Sequence, residues 1–254
     1  MSLLQNMVKN KAEEQARLLM LQNLKNGRTP EQCKCIDYLY TPVDNDAKKG
    51  CGSKKSGKKK GCLGGESTWD INDYIKHVDA LVNKLNLREK AIAKIGLDES
   101  QISEIKPINI ASFLWKGDGI VTKSEETNIS GIWKSVSNKY AVTWIFFSAK
   151  QIYTYTYTLD TTTDNVTELT RDFFYKDVTC IRTEHEVEDL VIEKTAGCGC
   201  LKKQESKFYH RYTEYDTLQI SVPNDSYSFC CTTNEEVEQS IQAAKGQIRE
   251  KKDV

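Results

Sequence analysis

The sequence predicts an α+β protein, and three observations carry that prediction. From Ile108 to Cys231 the chain is a succession of β-branched and aromatic runs broken by turn residues. From Thr233 to Lys252 a single amphipathic segment follows. Ahead of Ile108 stand two helical patterns, separated by a stretch rich in lysine, glycine and cysteine. The expected layout has four parts: an N-terminal helix over 1–29, a flexible linker over 30–66, a helical region over 67–107 and a β domain over 108–254 closed by its own helix.

The first helix is read over Leu3 to Asn26. Leu4, Met7, Val8, Ala12, Leu18, Leu19, Leu21 and Leu24 give it apolar positions, and Gly27 stops it. Its middle is too polar for a coiled-coil seam. A second helix is read over Ser67 to Gly96. Its stripe is Ile71, Tyr74, Ile75, Val78, Leu81, Val82 and Leu85. Ser67 and Asp70 are expected to cap it and Gly96 to end it. Leu97 to Ile105 is expected to add a short helix before Pro107. The pair is expected to pack on itself or on the β domain. The sharper alternative is a dimerisation or partner-docking surface.

The β region begins at Ile108. Within Tyr140 to Leu159, Tyr153, Tyr155 and Tyr157 alternate with Thr154, Thr156 and Thr158. A period of two puts rings on one face and hydroxyls on the other. Asp160 to Asn165 is turn material. Strands are expected over Leu169 to Thr183 and Val187 to Lys194. After the Gly197-Cys198-Gly199-Cys200 tip they continue over Lys207 to Val222 and Tyr227 to Cys231, with a turn at Pro223-Asn224-Asp225. This spacing fits an antiparallel barrel or sandwich. In the closing helix, Thr233 and Glu236 form a capping box. Val237, Ile241, Ala244 and Ile248 recur at steps of four, three and four, which makes one apolar stripe.

Three segments resemble the bacterial pleckstrin-homology-like (PH-like) family. Phe146 to Leu159 (FFSAKQIYTYTYTL) looks like one of its barrel strands. Arg171 to Ile181 (RDFFYKDVTCI) is similar to its aromatic-Lys/Glu-Asp-Val/Ile segment, with Tyr175, Asp177, Val178 and Ile181 at the matching places. Asn234 to Ile248 (NEEVEQSIQAAKGQI) resembles its C-terminal capping helix. The resemblance covers about residues 110–252 and implies a β-barrel domain that serves binding or assembly; the expected partner is a protein. It does not imply phosphoinositide binding.

Charge is unevenly spread. Residues 1–65 carry 13 Lys and Arg against 6 Asp and Glu, while the whole chain balances 36 against 36. Lys48, Lys49, Lys54, Lys55, Lys58, Lys59 and Lys60 sit among glycines and serines. A tract of like charges repels itself and is expected to be extended. It could attract nucleic-acid phosphates or an anionic membrane surface; the plainer reading is a solvated tether. No aromatic side chain stands among these lysines for base stacking. Gly52 to Lys58 has the GxxxxGK frame of a phosphate loop. However, Lys59 stands where a magnesium-binding Ser or Thr is needed, and no strand precedes the loop.

There are nine cysteines. Cys33, Cys35, Cys51 and Cys62 could converge on a structural zinc, and Cys198 and Cys200 could add two thiolates from the hairpin tip. The alternative reading leaves them reduced, with no cofactor. No HExxH or nucleophile motif surrounds His77, His185 or His210. The expected function is therefore a non-catalytic binding or scaffold protein. The runner-up is a zinc-stabilised module that binds nucleic acid or anionic membrane through the lysine tract. No export signal or spanning segment is apparent, so a cytoplasmic location is expected.

Overall fold

The computed structural model describes residues 3–41, 69–98, 102, 106–126, 133–196, 205–231 and 235–252. Helix α1 spans Leu3–Lys25 and α2 spans Pro30–Tyr40. They pack antiparallel. The Arg17 guanidinium donates to the Tyr40 carbonyl at 2.8 Å, and Lys25 pairs with Asp37. α1 has no strong apolar face, and Leu18, Leu19 and Met20 are exposed on it.

Helix α2 corrects the expectation of a linker from residue 30. Its start is written locally. The Thr29 hydroxyl accepts from the Gln32 amide at 3.2 Å, the Gln32 side chain accepts from the Thr29 amide at 2.9 Å, and Pro30 occupies the first turn. Cys35, Ile36, Tyr38 and Leu39 are buried. The rest of the expected linker lies outside the described residues.

The expected single helix over 67–96 is two. α3 runs Ile71–Asn83 and α4 runs Leu87–Ile95. Asn86, at φ 45°, turns the chain between them, and Gly96, at φ 75°, ends α4. The cap of α3 is Asp70 with Asp73, not Ser67 with Asp70; Ser67 lies outside the described residues.

Among the described residues nine strands follow: β1 (Ile108–Phe113), β2 (Thr122–Glu126), β3 (Trp133–Ser137), β4 (Lys139–Phe147), β5 (Gln151–Asp160), β6 (Val166–Phe174), β7 (Cys180–Ala196), β8 (Glu205–Val222) and β9 (Asp225–Cys231). Helix α5 (Glu235–Lys252) closes the described chain. The strands form three antiparallel sheets, ordered β1-β4-β5-β6, β2-β3 and β7-β8-β9. The fold is thus α+β with antiparallel sheets.

The four-stranded sheet is buried on both faces. Ile108, Ile110, Ile145, Phe147, Ile152 and Phe173 meet Leu218, Ile220 and Phe229 of the three-stranded sheet, together with Val237, Ile241, Ala244 and Ile248 of α5. The expected α5 stripe is therefore the buried one. On the opposite face Val142, Phe146, Tyr155, Tyr157 and Leu159 pack against Leu87 and Ala91 of α4. A third cluster joins Cys35, Tyr38, Ile71, Tyr74 and Val78 of α2 and α3 to Val136 of β3. Helices α2, α3 and α4 thus share cores with the sheets. Two-sided burial explains β5, whose Tyr155 and Thr154 are both buried although they face opposite ways.

Among the described residues the sheets do not close into the expected barrel. The single strand read over Leu169 to Thr183 is broken by a 3-10 turn at Tyr175–Asp177. Tyr175 is buried there, donating its hydroxyl to the Ser148 carbonyl at 2.9 Å, and Val178 is buried beside it. This corner swings the chain away, so β7 starts the second sheet and leaves β6 unpaired on its outer side.

Candidate functional site

The outer edge of β6 is an open interaction surface among the described residues. β6 is nine residues long and pairs with β5 throughout, Gln151 opposite Phe174 and Leu159 opposite Val166. Two backbone bonds flank this ladder: the Asp160 amide donates to Asn165, and the Tyr175 amide donates to Lys150. Antiparallel hydrogen-bonded pairs recur every second residue. The odd-numbered residues of β6 therefore bond to β5. The amides and carbonyls of Val166, Glu168, Thr170, Asp172 and Phe174 point outward, and no other described backbone group meets them. Unpaired edges of this length are templates for another strand.

The side chains along this edge are also available. Val166 is 52% exposed and Phe174 47%, and Leu169 is exposed as well. Charged residues separate them. Glu168 pairs with Lys94 at 3.3 Å and with Lys90, both on α4, and these lysines lower its pKa. Arg171 lies 4.6 Å from the centre of the Tyr227 ring. Lys176 lies 5.6 Å from that of Phe174. An open groove of about 490 Å³ runs between the C-terminal half of β6 and the β8–β9 turn, and Val222, Pro223 and Tyr227 form its far wall.

A second constellation is sealed. The Lys123 ammonium donates to the Tyr38 carbonyl at 2.6 Å, pairs with Glu125 at 3.2 Å and lies 4.0 Å from the centre of the Tyr38 ring. Burial lowers its pKa, and the Glu125 carboxylate opposes that shift. Glu125 also accepts from the Ile71 amide at 3.0 Å, where α3 begins. Tyr74 donates to the Ser137 carbonyl at 2.9 Å and lies 2.7 Å from the Thr161 hydroxyl. Burial pushes the Cys35 thiol up to about 12. These groups fasten α2 and α3 to β2, to β3 and to the β5–β6 turn, with Tyr38, Tyr74 and Cys35 fully buried and Lys123 and Glu125 largely covered.

A third cluster lies on the β7–β8 hairpin. Lys116 donates to Glu186 at 2.9 Å and pairs with Glu188 at 3.2 Å, which raises the lysine pKa. The Tyr215 hydroxyl donates to Glu186 at 3.1 Å. His185 sits 3.0 Å from Asp216, and His210 sits 2.7 Å from Asp189. His185 is therefore an imidazole paired across the hairpin. His77 packs on Trp69 with ring centroids 4.9 Å apart and is half-buried.

The structure places few of the residues singled out from sequence. Lys48, Lys49, Lys54, Lys55, Lys58, Lys59 and Lys60 lie outside the described residues, as do Cys51, Cys62, Cys198 and Cys200. Cys33 and Cys35 lie on α2. Two residues apart on a helix do not face each other. Cys33 approaches the Lys25 carbonyl at 3.9 Å, while Cys35 is fully buried in the third apolar cluster. Cys35 thus lies on a helix and in the core, not in a linker. Among the described residues no three His, Cys, Asp or Glu side chains converge as metal ligands. No described helix is long and apolar enough to cross a membrane. The β6 edge was missed from sequence, although the Asp160–Asn165 turn ahead of it was readable.

Comparison of the chain with family models, curated proteins and solved structures finds no match.

Proposed function

We propose that this chain is a non-catalytic binding or scaffold protein built on a PH-like domain, and that its partner is another protein. The single observation that carries the reading is the open β6 edge. It offers five outward-facing residues of backbone and exposed Val166, Leu169 and Phe174. Main-chain pairing supplies affinity at such an edge, and the alternating side chains supply selectivity. The PH-like part of the proposal is supported by the order of elements. A run of antiparallel strands in three sheets is followed by one amphipathic helix, and that helix packs its apolar stripe into the core shared by the four-stranded and three-stranded sheets. The non-catalytic part is supported by the sealing of the Tyr38, Tyr74 and Lys123 cluster, whose polar atoms serve to join elements.

The test uses the full chain as bait in affinity capture from native lysate, beside a Val166→Lys/Phe174→Lys variant. Each recovered protein is then purified and titrated against both baits. A saturable partner whose affinity falls at least tenfold on the variant is expected. Partners that bind both baits equally would move the binding surface elsewhere.

A further inference from the structure

The exposed pattern of β6 is symmetric about its central residue. Val166 and Phe174 each stand four residues from Thr170, on the same face of the strand, and are the most exposed apolar side chains on it. Leu169 and Arg171 flank Thr170 on the other face. We infer that β6 pairs antiparallel with β6 of a second copy of this chain, about a two-fold axis through Thr170. This deepens the protein-binding reading above by naming a second copy as the partner at that edge, and rests on it.

Register and chemistry select that arrangement. A two-fold axis normal to a continuous sheet pairs residues that face the same way. Only outward-facing residues can bond across the new interface, so even-numbered residues must oppose even-numbered ones. With Thr170 on the axis, Val166 meets Phe174 at both ends and Glu168 meets Asp172 twice. All five outward residues of each copy are then bonded, giving about ten backbone hydrogen bonds. A shift of two residues in either direction separates Val166 from Phe174 and leaves outward groups unpaired. On the other face Leu169 lies opposite the Arg171 stem of the second copy.

The Glu168–Asp172 approach is a like-charge contact, and the structure holds its compensation. Lys90 and Lys94 of α4 lie on the same face at Glu168, and Lys94 is more than half exposed. The two-fold axis brings Asp172 of the second copy up to these lysines. Two ammonium groups then face two carboxylates at each end of the interface. The threonine pair on the axis adds the hydroxyl contact typical of cross-strand Thr–Thr neighbours.

Thr170 also supplies a clean perturbation. Its amide points away from β5, so proline there removes an outward donor and spares the ladder. Sedimentation equilibrium from about 1 to 300 μM is run on the full chain, on Thr170→Pro and on Phe174→Lys, with far-UV circular dichroism to confirm the fold. Wild type should show a reversible monomer–dimer equilibrium. Phe174→Lys should weaken it at least tenfold, and Thr170→Pro should be monomeric throughout. If Thr170→Pro fails to fold, Phe174→Lys decides alone. A wild type that stays monomeric to 300 μM, or a dimer that neither side-chain nor proline change weakens, overturns the inference. In the first case, a purified unlike protein whose binding is lost in the edge variants would keep the binding-module reading and assign the edge to that strand. If the variants also leave every captured partner unaffected, both readings fall.

Discussion

Tyr38 and Tyr74 are fully buried, stacked at 4.9 Å, and should answer the same substitution in opposite ways. The Tyr74 hydroxyl donates to the Ser137 carbonyl at 2.9 Å and lies 2.7 Å from Thr161. Tyr74→Phe takes that partner from the buried Ser137 carbonyl and from Thr161, which keeps its bond to the Asn138 carbonyl. A buried group left unsatisfied costs about 1–3 kcal/mol, so a loss of about 2 kcal/mol is expected. For a chain of 254 residues, each kcal/mol moves Tm by about 2–4 °C, so the melt should fall by about 4–8 °C. Among the described residues the Tyr38 hydroxyl has no partner at ordinary hydrogen-bond distance, and the Glu125 carboxylate near it adds to the burial that pushes its ionisation up. Tyr38→Phe deletes an unsatisfied polar group and keeps the ring, including its contact with Lys123. Stability should stay within about 0.5 kcal/mol of wild type or rise. Urea titration of both variants at pH 7 measures the difference. A Tyr38→Phe variant as damaged as Tyr74→Phe would mean that the Tyr38 hydroxyl has a real acceptor, and the reasoning would fail.

Ile241→Asp places an unpaired carboxylate in the core under α5 and should cost more than about 4 kcal/mol, read as loss of the cooperative urea transition. Native-state alkylation followed by peptide mass mapping should label exposed Cys180 and spare Cys35 and Cys231, whose thiols burial pushes up to about 12; early labelling of Cys35 would contradict its place in the core. Glu168 has a folded pKa lowered by Lys90 and Lys94, so its contribution is present above the ordinary carboxylate pKa and is lost as pH falls through the folded value. Glu168→Gln should therefore flatten the acid limb of a stability–pH curve below about pH 4.5 and leave its slope at neutral pH unchanged. Changing the seven lysines between Lys48 and Lys60 to Gln should reduce co-sedimentation with anionic vesicles at low salt; equal sedimentation of the two proteins would make the tract a tether.

What could be read from the residues alone was whatever a single element declares by its own period. The α5 stripe at Val237, Ile241, Ala244 and Ile248 is such a case, and all four residues are buried. Gly96 as a helix stop is another, because only a residue tolerant of positive φ ends a helix that way. Helix α2 was also legible, through Thr29, Pro30 and Gln32. Its signal was overridden by the composition downstream, since the lysines and glycines after residue 47 coloured the whole of 30–66 as linker. The break at Asn86 was not legible, because Leu85 and Leu87 continue the apolar pattern across it.

The edge of β6 belongs to a different class of information. Whether a strand is central or terminal depends on which neighbours arrive, and no period within the strand encodes that. Thr154 and Thr156 illustrate the point from inside the sheet. Their hydroxyls were expected on a face apart from the rings, and the alternation is real. Yet Thr154 is buried and Thr156 meets Thr143 at 3.0 Å, because α5 and the second sheet cover that face. β6 carries threonines too, but the chain turns at Tyr175 before any strand can reach its outer side. The same residue types thus mean interior on β5 and interface on β6. The corner at Tyr175–Asp177 decides between them, and it is fixed by one buried ring and one hydroxyl bond to Ser148. A change that loosens that corner should therefore alter binding at an edge it does not touch.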